Sequence, residues 1–293
     1  DLHFIANKGQ WDNKALYKAE LQGGQVFFTD HGFRYSFYSA EDMQTAHDHL
    51  NDSGWTNTIS WHAYDVIFEG SRQPVVSGFD KRSAYHNYFI GNDESKWAGN
   101  VPLFSTVHYA GLYDDIDMNV YSRGTSLKYD FVVQPGGDPA DIALSFDGVT
   151  PVLNERGELV INTSVNTVIE QAPYAYQLVN GEQVPVACAY RLKDGKISFY
   201  LPGGYDRSID LVIDPVLVFA TYTGSTGDLW AYCSTFDANG NFYSASEAYA
   251  TGFPVTTGAF QTNYVSHDLA INKYNSAGDS LLFSTYCGGV LQE

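Results

Sequence analysis

Three carboxylates fall within four positions at Asp114-Asp115-Ile116-Asp117. Hard oxygen ligands at that density are what Ca2+ takes. Asp114, Asp115 and Asp117 are therefore the candidate metal residues, provided a neighbouring strand adds oxygens; the same residues can instead cap a turn. His47-Asp48-His49 is the nearest approach to an imidazole site. Positions two apart on a helix do not share a face, which favours a solvated helix or a loop. Asp237-Ala238-Asn239-Gly240-Asn241 opens like a Ca2+ loop, but Ala248 stands where an EF-hand needs its bidentate Glu. A hairpin turn is the better reading of Asn239-Gly240. Trp55, Trp61, Trp97 and Trp230 are the candidate ligand-binding residues, because exposed indoles stack on sugars; the competing reading puts large aromatics in the core of a β domain.

Catalytic motifs are missing. The chain holds neither a Gly-x-Ser-x-Gly elbow nor His-Glu-x-x-His, and no glycine-rich phosphate loop. A carboxylate pair that cleaves glycosides is recognised by its separation in space, which a sequence does not give.

The elements that must position these residues are strands. The chain has 293 residues, 44% of them apolar and 15% aromatic, with 22 Tyr and 27 Gly. That composition fits β-structure joined by tight turns and a length of about two domains. With 16 basic against 34 acidic residues the net charge is −18. Phosphate binding needs clustered Lys and Arg, so nucleic acid and anionic membrane surfaces are poor partners. No stretch approaches the roughly 18 apolar residues of a membrane span. Cys188, Cys233 and Cys287 are too few for a disulfide scaffold. Cys233 and Cys287 fall in one region, and their pairing is left open.

Phe33, Tyr35 and Phe37 alternate with Arg34 and Ser36 after a turn at Asp30-His31-Gly32, and Ile116, Met118 and Val120 alternate with Asp117, Asn119 and Tyr121. Period two marks half-buried strands. Continued as a strand, the second run puts Asp115 and Asp117 on one face. Further turns are expected at Asn180-Gly181, Asp194-Gly195 and Gly203-Gly204. Ser39 to Leu50 is the one helical piece, with Ser39 as N-cap and Glu41 and Asp42 in the first turn.

Leu217-Val218-Phe219-Ala220-Thr221-Tyr222-Thr223-Gly224 returns as Leu281-Leu282-Phe283-Ser284-Thr285-Tyr286-Cys287-Gly288. A motif recurring at a fixed offset is the mark of a repeat architecture. The expected fold is all-β, with an antiparallel sandwich-type domain over residues 1–215, as one sandwich or as two lobes split near 122–124. Residues 216–293 then read as one blade plus the first strand of the next. A propeller needs four to eight blades, so the expectation is a truncated propeller in a fragment of a longer protein. An unpaired apolar strand invites aggregation, so the copy at Leu281 is expected to complete a blade or pack on the leading domain.

Five blocks occur in order: Asn7-Lys8-Gly9-Gln10-Trp11, Asn87-Tyr88-Phe89-Ile90-Gly91 with Trp97, Tyr113-Asp114-Asp115-Ile116-Asp117, Tyr129 to Pro139, and Leu211-Val212-Ile213-Asp214-Pro215. Together they resemble the conserved-block domain of unknown function at the N-terminus of large secreted proteins of Bacteroidota, typically followed by SBBP β-propeller repeats. The first copy departs from that repeat in carrying Gly224-Ser225 where Gly-Gly is usual. The resemblance implies a secreted or cell-surface protein on the outer-membrane exterior, reached by type 9 secretion. It implies a non-catalytic module acting in adhesion, polymer binding or as a scaffold, with surface polysaccharide, other protein domains or secretion components as partners. The alternative is a carbohydrate-active hydrolase with its site between the β domain and the propeller. Ca2+ is the only cofactor expected as an option.

Overall fold

The computed structural model describes residues 2–21, 23–48, 58–123, 126–214, 229–237, 241–274 and 281–289. The strand expected at Leu217–Gly224 and Trp55 lie outside the described residues. The chain divides into two units, Asp1–Val218 and Phe219–Glu293.

The first unit runs β1 (Phe4–Ala6), β2 (Tyr17–Leu21), β3 (Gly24–Phe28), β4 (Gly32–Tyr38), helix α1 (Ala40–Asp48), β5 (Trp61–Phe68), β6 (Val75–Phe79) and β7 (Tyr85–Tyr88). It continues with β8 (Ala98–Phe104), β9 (Thr106–Tyr113), β10 (Ile116–Arg123), β11 (Ser126–Val133), β12 (Ala143–Asp147), β13 (Val152–Leu153) and β14 (Leu159–Asn162). It ends with β15 (Thr167–Glu170), β16 (Tyr174–Val179), β17 (Glu182–Val186), β18 (Ala189–Lys193), β19 (Lys196–Tyr200) and β20 (Leu211–Asp214). The strands form one sheet in the order β18-β19-β12-β5-β4-β3-β2-β1-β8-β7, a second in the order β17-β16-β20-β11-β10-β9-β6, and a third of β13-β14-β15. Among the described residues pairing is antiparallel and no sheet closes into a barrel, so the all-β, sandwich-type expectation holds.

Alternation decides which side each residue faces. In the first sheet Ala19, Val26, Tyr35 and Tyr64 are cross-strand neighbours and all are buried. In the second, Tyr109, Met118, Phe131, Ile213 and Ala175 form the matching buried row. The two inner faces share one core. Phe33 meets Tyr109 and Tyr129 edge-on at 6.4 and 5.9 Å, and Phe131 meets Phe199 at 5.7 Å. Leu159 and Ile161 of the third sheet belong to the same core. Ser122 and Arg123 pair with Leu127 and Ser126 at the end of the β10–β11 hairpin, and Gly124 lies outside the described residues.

Local signals account for the connections. Asn180-Gly181 and Asp194-Gly195 both have positive φ, as a two-residue hairpin loop of this hand requires. Ser39 Oγ accepts from Asp42 N at 3.1 Å and so caps α1. Gly32 allows β4 to approach β5: a Cβ there would stand 2.1 Å from Val66 O.

The second unit is a four-stranded antiparallel sheet of β21 (Leu229–Phe236), β22 (Phe242–Ala248), β23 (Asp268–Tyr274) and β24 (Leu281–Cys287), in that order. The second copy of the repeated motif is therefore its fourth strand, paired with β23. Ala248, Phe253, Ala270 and Tyr286 make its small core. The cysteines are free thiols. Cys233 and Cys287 sit on β21 and β24, the outer strands, roughly 14 Å apart at the usual strand spacing. No described helix is long and apolar enough to cross a membrane.

Candidate functional site

A half-open cleft of about 660 Å3 lies on the outer face of the large sheet, between the segment Trp11–Ala15 and strands β3 to β5. Strand register builds its floor. Leu103, Ile5, Lys18, Phe27, Arg34, Asp65 and Asp147 are successive cross-strand partners from β8 to β12. The row runs from apolar through aromatic to charged. Ile5, Val101 and Leu103 at its apolar end are covered by Trp11 and Tyr88, while Arg34 and Asp65 line the cleft.

Trp11 forms one wall. Its indole meets Phe27 at 5.8 Å and Tyr88 at 5.5 Å, both edge-on, and Lys18 Nζ lies 5.1 Å from its ring centre. Asn7 holds the segment that carries it. The Asn7 amide donates to the carbonyls of Asp12 and Ala15 at 2.8 and 2.7 Å, and its Oδ1 accepts from Gly9 N and Trp11 N. Lys8 Nζ ties the same segment to Gly99 O at 3.0 Å. On the floor Arg34 Nε and Nη2 donate to Asp65 Oδ1 and Oδ2 at 2.7 and 2.6 Å. This bidentate bond is the first cause of the raised pKa of Arg34. It leaves a planar, polar plate beside two aromatic rings. Lys14 and His31 complete the rim.

The family-like blocks meet in pairs. Asn7–Trp11 touches Asn87–Gly91 through Trp11 and Tyr88. At another place Gln134 donates from its backbone to Asp115 O at 2.9 Å and from Nε2 to Asp117 Oδ2 at 2.9 Å. Gly136, at φ +112, brings its backbone against the Asp115 carboxylate, where a Cβ would stand 2.6 Å from Oδ2.

That contact explains where the acidic candidates went. Tyr113 pairs with Ile116, so Asp114 and Asp115 are the two loop residues of a hairpin, Asp115 with φ +53. Asp115 and Asp117 thus do not share a strand face. Asp114 is ion-paired with Arg72, and Asp117 Oδ1 accepts from Gly111 N at 2.7 Å. Among the described residues no three His, Cys, Asp or Glu side chains gather as a metal group. Asp237 accepts from Asn241 N at 3.0 Å and pairs with Lys273 at 3.1 Å, so it closes the β21–β22 connection.

The described aromatic candidates sit on separate elements. Trp61 begins β5 and is 64% exposed. Trp97 is 40% exposed, packs on Phe89 at 5.7 Å and donates to Gly91 O at 3.2 Å. Trp230 lies on β21 opposite Glu247, and its side chain is outside the described ones. Sequence reasoning passed over Trp11, although the dense block Asn7–Trp11 was its signal.

A second polar group lies on the outer face of the other sheet. His108, Asn119 and Asp130 are cross-strand neighbours, and the register of Phe131 with Ile213 carries on to set Asp130 beside Asp214. Burial pushes the Asp130 carboxyl up to about 6, opposed by a hydrogen bond from Tyr121 and reinforced by the charge of Asp214.

Neither a curated protein nor a solved structure matches the chain. A family model described as a domain of unknown function, DUF7948, matches residues 4–216. Those residues span the cleft, both large sheets and all five sequence blocks, and on that match the chain belongs to the DUF7948 family.

Proposed function

We propose that the chain is a non-catalytic binding module of a large secreted or cell-surface bacterial protein, and that the Trp11 cleft holds a surface polysaccharide. The observation that carries this is the bidentate Arg34–Asp65 plate beside Trp11 and Phe27. Sugar rings offer C–H faces to aromatic rings and hydroxyls to fixed donors and acceptors, and sites of this kind combine an apolar lining with a few placed polar groups. Asp65 is committed to Arg34, which suits recognition better than proton transfer. The four-stranded second unit fits a blade of an SBBP-type propeller. Export by type 9 secretion goes with the same reading, supported by the block order alone.

A glycan array with the 293-residue chain tests the cleft. Binding that is lost in Trp11→Ala and in Arg34→Ala, with both variants folded, is the expected result. An array silent for the unaltered protein overturns polysaccharide binding in favour of a protein partner. A second reading, a carbohydrate hydrolase, is favoured by one observation: Asp147 stands opposite Asp65. Directly opposed residues on one sheet face are close neighbours, and retaining glycosidases work with a pair of neighbouring carboxyls. Newly released reducing ends from a bound polymer would establish it.

A further inference from the structure

Lys128 is 5% exposed although it lies on the outer face of its sheet, opposite Tyr121. A lysine so buried is costly as a charge. Its Nζ stands 3.8 Å from Asp214 Oδ1 on the neighbouring strand β20. Charge-assisted hydrogen bonds are shorter, about 2.7–2.9 Å, so amine and carboxylate face each other as a loose ion pair. Asp130, two residues along on the face of Lys128, stands beside Asp214, and its Oδ1 has no hydrogen-bond partner among the described residues.

We propose that Lys128 and Asp214 form an intramolecular amide cross-link between β11 and β20, with Asp130 as the proton carrier. Lys128 Nζ attacks Asp214 Cγ, and an Nζ–Cγ bond forms. The Cγ–Oδ bond breaks and that oxygen leaves as water. Asp130 gives its proton to the Asp214 oxygen and takes one from the ammonium before the attack, then repeats the exchange as the oxygen departs, so it ends as it began. An ammonium and a carboxylate become an amide and a water, with no oxidant or co-reactant. Asp130 suits the part because burial keeps its carboxyl protonated well above the usual range, up to about 6, with Tyr121, Asp214 and Lys128 as the neighbours that tune it. Holding amine and acid side by side drives the step, since such placement is worth effective molarities of about 10⁵–10⁸ M.

The test is the intact mass of the denatured 293-residue chain, followed by peptide mapping. The expected result is a mass one water below the sequence mass and a branched peptide joining β11 to β20. Lys128→Arg and Asp130→Asn should each restore the full sequence mass while the circular dichroism of the folded protein is kept. If a variant does not fold, the mass of the unaltered protein decides alone. A full sequence mass after long incubation of the folded protein means an ion pair only and overturns the proposal. So does a water loss that survives Lys128→Arg, which would be an aspartyl succinimide.

Discussion

Tyr129 donates its hydroxyl to Glu170 Oε2 at 3.0 Å, and Tyr190 donates to the same oxygen at 3.3 Å. Tyr129 is on β11 and Tyr190 on β18, so one carboxyl at the end of β15 receives a bond from each large sheet. Glu170 is buried with these tyrosines, with Tyr35 and Tyr64 close by. Burial raises its pKa above the ordinary 4.5, and the two hydroxyl bonds pull it back only in part.

The sign of the pH effect follows. A folded-state pKa above the unfolded one means that the folded state holds the proton more tightly. Its stabilisation is complete below 4.5 and is lost as pH rises through the raised value. Urea denaturation of the unaltered protein and Glu170→Gln across that range isolates the term. The unaltered protein should be favoured most at the acid end, and the difference should fall by up to about 1.4 kcal/mol per pH unit within the window. A difference that does not change with pH contradicts this.

Removing one hydroxyl probes the same group from the other side. Tyr129→Phe and Tyr190→Phe each withdraw a donor from a buried acceptor, at a cost of about 1–3 kcal/mol. The shorter bond should cost more, so Tyr129→Phe is the worse variant. Both substitutions push the Glu170 pKa further up, because the hydrogen bonds favour the charged form. Denaturation midpoints at acid and neutral pH should therefore diverge more in the variants than in the unaltered protein.

Much of the fold was legible because its signals are local. Alternation at Phe33–Phe37 and Ile116–Tyr121 marked strands, and Asn180-Gly181 and Asp194-Gly195 marked hairpins by the need for positive φ. The site was less legible. Nothing adjacent to Glu170 distinguishes it from a solvent-facing acid at a strand end; a third sheet folding over the core buries it. The row from Lys18 to Asp147 is set by register across five strands, and register between distant segments is not written in any one of them. Asp114 and Asp115 leave two readings open for a related reason, since two acids fill a two-residue hairpin loop as readily as they hold a cation. Trp11 was within reach: an Asn-x-Gly-x-Trp segment that must turn tightly has to place its indole somewhere.

Gly32 yields a prediction about strand approach. Its missing Cβ would lie 2.1 Å from the Val66 carbonyl oxygen, which is backbone and has no other rotamer to take. Gly32→Ala should cost at least the 1–3 kcal/mol of overpacking and disturb Arg34 and Asp65 next to it. Gly203 has open space around its Cβ position, so Gly203→Ala should be neutral or slightly stabilising. Thermal melts of the two variants should separate clearly, and similar melting temperatures would refute the steric reading.

The repeated Thr-Tyr pair makes a prediction for the second unit. Thr285 Oγ1 accepts from Gln261 N at 2.9 Å, and Tyr286 Oη accepts from Phe253 N at 3.0 Å. Thr256 N donates to Ser284 O at 3.1 Å. The Ser-Thr-Tyr of β24 thus pins the segment from Phe253 to Gln261, and each residue has a hydroxyl or carbonyl assigned to it. Hydrophobic burial alone would have allowed Val and Phe at these two places. Thr285→Val keeps the shape and leaves the Gln261 amide without its acceptor, costing about 1–3 kcal/mol; Thr285→Ser keeps the hydroxyl and should cost less. Hydrogen exchange should quicken at Phe253 and from Thr256 to Gln261 in Thr285→Val, while the amides that join β21 to β22 hold. Uniform quickening over the whole sheet would mean that the hydroxyl serves the strand rather than the loop, and that the motif recurs for packing reasons alone.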